Sequence, residues 1–190
     1  MHSHAAVVAG VTFRDPHEAA AAYNSLAKEQ GWQSVCHTVL AFERPELRDV
    51  LKIWQELASA GRPPRRKDLT PQLLRAHLPN VAIYEYVETE GRRRYRARVM
   101  GTRFNEVLGD YTGKFFEDVM PPHLAKRWHA APEATLAAHA PLRFVSRSET
   151  ANKGHITGEY LMAPLLGDDG IANTVLSCGF FGATFPSRGE

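Results

Sequence analysis

The chain has 190 residues, of which 44% are hydrophobic and 23% are charged, with a formal net charge of +2. This length and composition indicate one globular domain with a sizeable core and exclude an intrinsically disordered chain. The net charge gives no argument for a nucleic-acid partner, and two widely separated cysteines, Cys36 and Cys178, support neither a disulfide framework nor a zinc site.

No segment has the pattern of a membrane span or a secretion signal. The longest early apolar run, at residues 5–11, lacks a basic flank, and no later run approaches the roughly 18 apolar residues of a spanning helix. Two free thiols suit a reducing compartment. We therefore expect a cytoplasmic protein with no membrane partner.

The first helix is predicted to begin at Asp15. Its side chain can accept hydrogen bonds from free backbone amides, Pro16 suits the first helical position and Glu18 completes a capping arrangement. The helix is expected to end at Gly31, and its weak apolar stripe could pack on the domain or on a second copy of the chain. Residues 1–42 are predicted to be an N-terminal extension with one helix.

A second helix is predicted from Pro45 to the residues before Gly61. Its apolar residues recur at the three- and four-residue spacing of one buried face, at Leu47, Val50, Leu51, Trp54, Leu57 and Ala58. The basic connection at 62–67 is expected to be solvated. A short helix is expected from Thr70 to about His77.

At residue 81 the pattern changes to that of β-strands. Residues 81–87 are rich in β-branched and aromatic side chains, and a tight turn leads to a second strand at 93–100. We expect one set of alternating side chains in the second strand to face the core and the other to face solvent. These sets are Tyr95, Ala97 and Val99 for the core, and Arg94, Arg96 and Arg98 for solvent.

The segment at 99–122 is divided by glycines at 101, 109 and 113. Each piece, including a short apolar helix at 102–108, is too small to bury its own apolar side chains. We therefore expect the segment to lie against a sheet. A longer helix is predicted from His123 to His139, with a kink or break at Pro132, followed by three strands at 142–149, 155–166 and 171–185.

This order of elements resembles the PAS sensor domain, and more closely a bacterial family of small PAS-type proteins. The resemblance covers residues 43–185 and rests on Leu51-x2-Trp54, Pro63-Pro64-Arg65, Leu78-Pro79-Asn80-Val81 and Gly101-Thr102-x3-Glu106-x2-Gly109-x2-Thr112-Gly113. It implies an α+β fold with a five-stranded antiparallel sheet covered on one face by short helices. The additional N-terminal helices precede this domain, and residues 186–190 form a tail.

The resemblance also implies a function. PAS domains sense or relay signals through a pocket between the sheet and the helices, often as homodimers. Residues 1–42 are too short for a kinase, cyclase or DNA-binding domain. We therefore expect a non-enzymatic sensor or adaptor that acts through a separate signalling protein.

Aromatic residues and methionines are dense around the expected pocket, which favours a small, mostly apolar ligand or a packed core with no ligand. Asn105, Thr112 and Ser177 could supply polar groups. The candidate ligand-binding residues are Val99, Phe104, Asn105, Leu108, Tyr111, Phe115, Phe116, Met120, Trp128, Phe144, Tyr160 and Met162.

Flavin and haem are the cofactors that the resemblance brings into question. Flavin photosensors of this fold use an Asn-Cys-Arg-Phe type motif, but the matching positions here are Arg103-Phe104-Asn105-Glu106. Haem could be held by a histidine of the long helix, at His123, His129 or His139, although His123 and His129 lie on different helix faces. We expect exposed or capping histidines, no metal and no cofactor, with a haem sensor as an alternative.

A small α+β enzyme with a buried carboxylate is the second alternative, and Glu106 is its candidate residue. The competing interpretation is that Glu106 binds backbone amides of the surrounding turns. The basic groups at 62–67 and 92–98 could form a nucleic-acid surface, but the first lies in a linker and the second alternates along a strand with no interleaved stacking platform. We therefore expect no nucleic-acid partner.

Overall fold

The computed structural model describes residues 15–59, 61–150 and 154–182. Five helices are present in this part of the chain: α1 Pro16–Glu29, α2 Pro45–Leu57, α3 Thr102–Leu108, α4 Phe116–Val119 and α5 Pro122–Ala138. The strands are β1 Ser34–His37, β2 Val81–Thr89, β3 Arg92–Met100, β4 Leu142–Thr150, β5 Gly154–Leu166 and β6 Ala172–Gly182. The predicted tail and the end of the last predicted strand lie outside the described residues.

The strands form one antiparallel sheet in the order β1-β4-β5-β6-β2-β3. This confirms the α+β class, with six strands where five were predicted. The additional strand, β1, has only four residues and pairs with β4, placing Val35 opposite Val145. A strand this short shows too little alternation to be recognised in the sequence.

Both faces of the sheet are covered. One face packs against α1, α3, α4 and α5 around buried side chains that include Tyr84, Phe104 and Leu136. The opposite face packs against α2, whose Trp54 also donates a hydrogen bond of 2.8 Å from Nε1 to the carbonyl oxygen of Pro164. The first face is called the helical face below, and the second is called the α2 face.

A β-bulge between β2 and β3 changes which side chains reach the helical face. Ile83 pairs with Val99 but the next residue, Tyr84, pairs with Ala97, so Arg98 is the extra residue. Tyr95, Ala97 and Met100 are therefore buried on the helical face. Val99 instead packs with the cluster on the α2 face, opposite to the face predicted from simple alternation.

Glu159 is a charged residue in the core, only 1% exposed. Its carboxylate accepts hydrogen bonds from the backbone amides of Glu43 at 3.0 Å and Arg44 at 3.1 Å, and from Nε of Arg143 at 2.7 Å. A buried carboxylate needs such partners, and charge-assisted hydrogen bonds are the stronger ones. These bonds fix the start of α2 to strands β4 and β5.

The structure differs from one local prediction and excludes the predicted break, but not the kink, at Pro132 in another. The helix predicted from Thr70 to about His77 is a series of turns that leads into a 3₁₀ turn at Leu78–Asn80. Helix α5 runs through Pro132 as one element and ends at His139, which has a positive φ of 50°. Among the described residues, no helix combines the length and apolar character needed to cross a membrane.

Gly101 lies where β3 passes into α3, against the backbone carbonyls of Leu78 and Pro79. A Cβ atom at this position would overlap both carbonyls, which are backbone groups with little freedom to move. We expect Gly101→Ala to lower the free energy of unfolding by about 1–3 kcal/mol, the usual cost of overpacking. Gly182 has open space around its Cβ direction, so Gly182→Ala is the control in urea denaturation; equal losses in both variants would contradict this account.

Replacing Glu159 removes the charge that three donors share. We expect Glu159→Gln to lower the free energy of unfolding by about 2 kcal/mol, because hydrogen bonds to charged groups contribute about 1.5–3 kcal/mol. Glu106→Gln is the matched control, since the Glu106 carboxylate is 58% exposed and surface ion pairs contribute about 0–1 kcal/mol. Chemical denaturation of both variants measures the difference, and a loss no larger at Glu159 than at Glu106 would contradict the anchoring role.

Candidate functional site

A cavity of about 200 Å³ lies between the helical face of the sheet and helices α1, α3 and α5. Its walls are mostly apolar, with polar groups at one end. The residues that line it are Tyr23, Ser34, Tyr84, Val107, Leu108, Leu124, Arg127, Trp128, Ala131, Phe144, Ser146, Tyr160, Met162 and Phe181.

Five of the residues predicted for the pocket lie around this cavity: Leu108, Trp128, Phe144, Tyr160 and Met162. They come from α3, α5, β4 and β5. The sheet and the long helix therefore bring together side chains that are more than 50 positions apart in the sequence.

The other predicted residues lie outside the cavity lining. Phe104, Phe116 and Met120 are buried in the core of the helical face. Tyr111 and Asn105 are partly buried, and Tyr111 packs against that core. Phe115 lies under Arg94, whose guanidinium carbon is 3.9 Å from the ring centroid. Val99 lies on the α2 face because of the bulge, and it packs against the cluster there.

The ring of Tyr160 lies across two glycines of the sheet. Tyr160 pairs with Gly179 on β6, and a Cβ at Gly179 would lie 2.6 Å from Cδ1 of the ring. A Cβ at Gly158 would overlap the same ring. The two glycines thus provide the space in which Tyr160 forms part of the cavity wall, with Phe181 edge-on to it at 5.4 Å between ring centroids.

The polar end of the cavity is built from α1, β1, β4, β5 and α5. The hydroxyls of Tyr23 and Ser34 are 2.7 Å apart, and Ser34 pairs with Ser146 across β1 and β4. The Ser146 hydroxyl lies beside that of Tyr160, and the Arg127 guanidinium lies beside the Tyr23 hydroxyl. Arg127 and the hydroxyls of Tyr23, Ser34, Ser146 and Tyr160 therefore lie together at one end of a mostly apolar space.

Burial determines the protonation of these hydroxyls. It raises the pKa of Tyr160 to about 12, against a smaller lowering by Ser146 and Arg127. Burial likewise raises the pKa of Tyr23, opposed by Ser34 and Arg127. Both phenols are protonated at neutral pH and can donate hydrogen bonds into the cavity.

The N-terminal extension contributes directly to this site, which the sequence pattern did not reveal. Asn24 holds α1 to β1: its side-chain amide donates to the carbonyl oxygen of Cys36 at 2.9 Å, and its Oδ1 accepts from the Cys36 amide at 2.8 Å. Tyr23 and Ser34 are thereby placed at the cavity. The feature of the sequence that could have indicated this contribution is the apolar stripe of α1, which includes Tyr23 and is buried within this chain.

Neither cysteine is placed for redox or nucleophilic chemistry at this cavity. Cys36 and Cys178 are both buried, and burial raises the pKa of each thiol to about 12. A thiol with a raised pKa is a poor nucleophile at neutral pH.

The histidines considered for haem also lie outside the cavity lining. His123 is exposed, and His139 forms the C-terminal cap of α5. His129 is 19% exposed, packs against the rings of Tyr95 and Phe116, and has Nε2 at 3.0 Å from a carboxylate oxygen of Glu117. No cluster of metal-ligating side chains occurs within the described ranges. None of these three histidines is therefore placed to bind haem in this cavity.

Glu106 is not the buried carboxylate that the enzyme alternative requires. Its side chain is 58% exposed and lies 2.7 Å from Nη1 of Arg103, one turn earlier on α3. An exposed carboxylate paired with a cation has no environment that would prepare it for proton transfer.

Arg98 is exposed as predicted, at 53%, whereas Arg94 and Arg96 are half-buried, at 22% and 31%. Arg94 forms ion pairs with Glu117 and Asp118 beside α4, while Arg96 and Arg98 share the carboxylate of Glu85. These pairs neutralise much of the positive charge on this strand and attach α4 to the sheet.

Comparison with known proteins identifies the fold family. A family model described as PAS domain matches residues 42–179. The chain belongs to the PAS domain family, which confirms the resemblance found in the sequence. No curated protein matches it.

Two solved structures are similar to the chain. An RNA-binding light-oxygen-voltage receptor is 14% identical with a TM-score of 0.40, over 78% of this chain and 38% of its own. A variant of RsLOV is 12% identical with a TM-score of 0.35, over 77% of this chain and 73% of its own.

The buried histidines give the fold a pH dependence. Burial lowers the pKa of His129 and of His139, so between their folded and unfolded pKa values the unfolded chain binds more protons. The free energy of unfolding is then expected to fall as pH drops from about 7 through the ordinary histidine pKa of about 6.5. His139→Asn keeps a residue that tolerates positive φ, and its unfolding free energy should vary less steeply between pH 7 and 5 than that of the wild type; parallel curves would contradict the assignment.

Proposed function

We propose that this protein is a non-enzymatic PAS sensor that binds a small, mostly apolar ligand in the cavity and signals through a separate protein. The observation that carries this proposal is the cavity of about 200 Å³ between the sheet and α5. The space is partly open to solvent and is bounded by side chains of α1, α3, α5 and the sheet, so a small molecule can enter it. Concave, mainly apolar cavities with a few convergent polar groups are typical of small-ligand sites.

The position of the cavity would allow ligand binding to change the surface that α1 and β1 present to a partner protein. A ligand there would contact Tyr23 and Ser34, which belong to α1 and β1, as well as Tyr160 in the centre of the sheet. Binding would stabilise the attachment of α1 and β1 to the domain by mass action. In this proposal the outer surface of α1 and β1 presents the signal to the partner protein.

The proposal includes a cytoplasmic homodimer. Within the described part of the chain, β1 is an edge strand, and it carries Val35, which is 46% exposed. An exposed edge strand can pair with another chain. The apolar stripe of α1 is already covered within the same chain, so we place the dimer contact at β1 and not at that stripe.

A cavity-filling variant tests the ligand site. Ala131 lines the cavity, whereas Ala134 on the same helix does not, although both are 8% exposed. We expect Ala131→Leu to fill empty space and leave the free energy of unfolding within about 1 kcal/mol of the wild type. Ala134→Leu should lower it by about 1–3 kcal/mol through overpacking.

Ligand binding is measured by saturation-transfer NMR with phenol, indole and benzyl alcohol as neutral probes. At least one probe should bind the wild type and lose its signal with Ala131→Leu. If no probe binds, or if every signal persists in that variant, the cavity is not a ligand site and a protein adaptor without a ligand is favoured.

A further inference from the structure

Arg127 brings a positive charge to the cavity without a charged partner from the described residues. The half-buried arginines Arg94, Arg96 and Arg143 each reach a carboxylate, at side-chain exposures of 22%, 31% and 15%. Arg127 is also partly buried, yet it forms no ion pair in the described part of the chain. A partly buried guanidinium that reaches no carboxylate among the described residues can pair with an anion from outside the chain.

The groups around Arg127 are neutral hydrogen-bonding groups. Its charge acts on the hydroxyls of Tyr23 and Tyr160, and the hydroxyls of Ser34 and Ser146 lie next to these. Hydroxyls can donate to an anion but do not neutralise a guanidinium. The polar end of the cavity therefore combines one full positive charge with several donors.

The rest of the cavity is apolar, and it limits the size and polarity of the ligand. Leu108, Leu124, Trp128, Phe144 and Met162 provide apolar walls. An apolar cavity of about 150 Å³ accommodates benzene, so the space of about 200 Å³ here fits a ring or a short chain with one additional small group.

The geometry points to a small monocarboxylic acid with an apolar body as the ligand, its carboxylate bound by Arg127 and its body between Trp128 and Phe144. This inference rests on the proposed function, because it names the ligand class of the same cavity. One guanidinium balances one negative charge and matches the planar carboxylate with two parallel hydrogen bonds. A phosphate dianion would leave a second charge uncompensated in an apolar site.

The N-terminal extension is part of this recognition. Tyr23 and Ser34 lie outside residues 42–179, which the family model matches. The carboxylate end of the ligand would thus be held where the extension meets the domain.

The test compares acids with amides of the same shape on the full chain. The probes are benzoate and benzamide, phenylacetate and phenylacetamide, and hexanoate and hexanamide, each titrated by calorimetry at low ionic strength. We expect at least one acid to bind the wild type at least tenfold more tightly than its amide. Arg127→Gln should reduce that ratio to about one while leaving the affinity for the amide within about threefold.

Lys126→Gln is the matched control, because Lys126 is the exposed neighbour of Arg127 on the same helix and its replacement removes the same charge. The acid preference should persist in this variant and in Arg127→Lys. Equal binding of acid and amide by the wild type overturns the inference, as does an acid preference that survives Arg127→Gln or the absence of binding by every acid. Binding of the neutral probes with no preference for acids would overturn this inference alone and leave the proposed function standing.

Discussion

The buried carboxylate of Glu159 organises the protein from the α2 face of the sheet. It joins the residues that precede α2 to Arg143 on the neighbouring strand, so two distant parts of the chain meet at one charged group. The next residue, Tyr160, points to the helical face and forms part of the cavity wall. Because successive side chains of a strand alternate between faces, anchoring Glu159 also fixes the orientation of Tyr160.

The ring of Tyr160 fits against the sheet because two neighbouring positions of the sheet have no side chain. Gly158 and Gly179 leave room for the ring of Tyr160. A regular sheet with side chains at every position would have filled this volume. The wall formed by Tyr160 therefore depends on one glycine of β5 and one of β6.

The N-terminal extension changes the chemical character of the cavity. The core of the domain supplies apolar side chains, whereas α1 and β1 bring Tyr23 and Ser34 to the same end as Arg127. The paired hydrogen bonds between Asn24 and Cys36 hold this arrangement in place. An extension that the sequence separates from the domain is, in the folded protein, one wall of its cavity.

The sequence by itself determined the longer helices and strands, since periodicity and turn residues are local signals, and its motifs pointed to the PAS family. It also identified Leu108, Trp128, Phe144, Tyr160 and Met162 as neighbours, because their elements had to pack together. Only the tertiary structure decided the position of Val99, the roles of Tyr23 and Arg127, and the exposure of Glu106. Those depend on a bulge, a four-residue strand and contacts between distant segments, none of which leaves a periodic pattern in the chain.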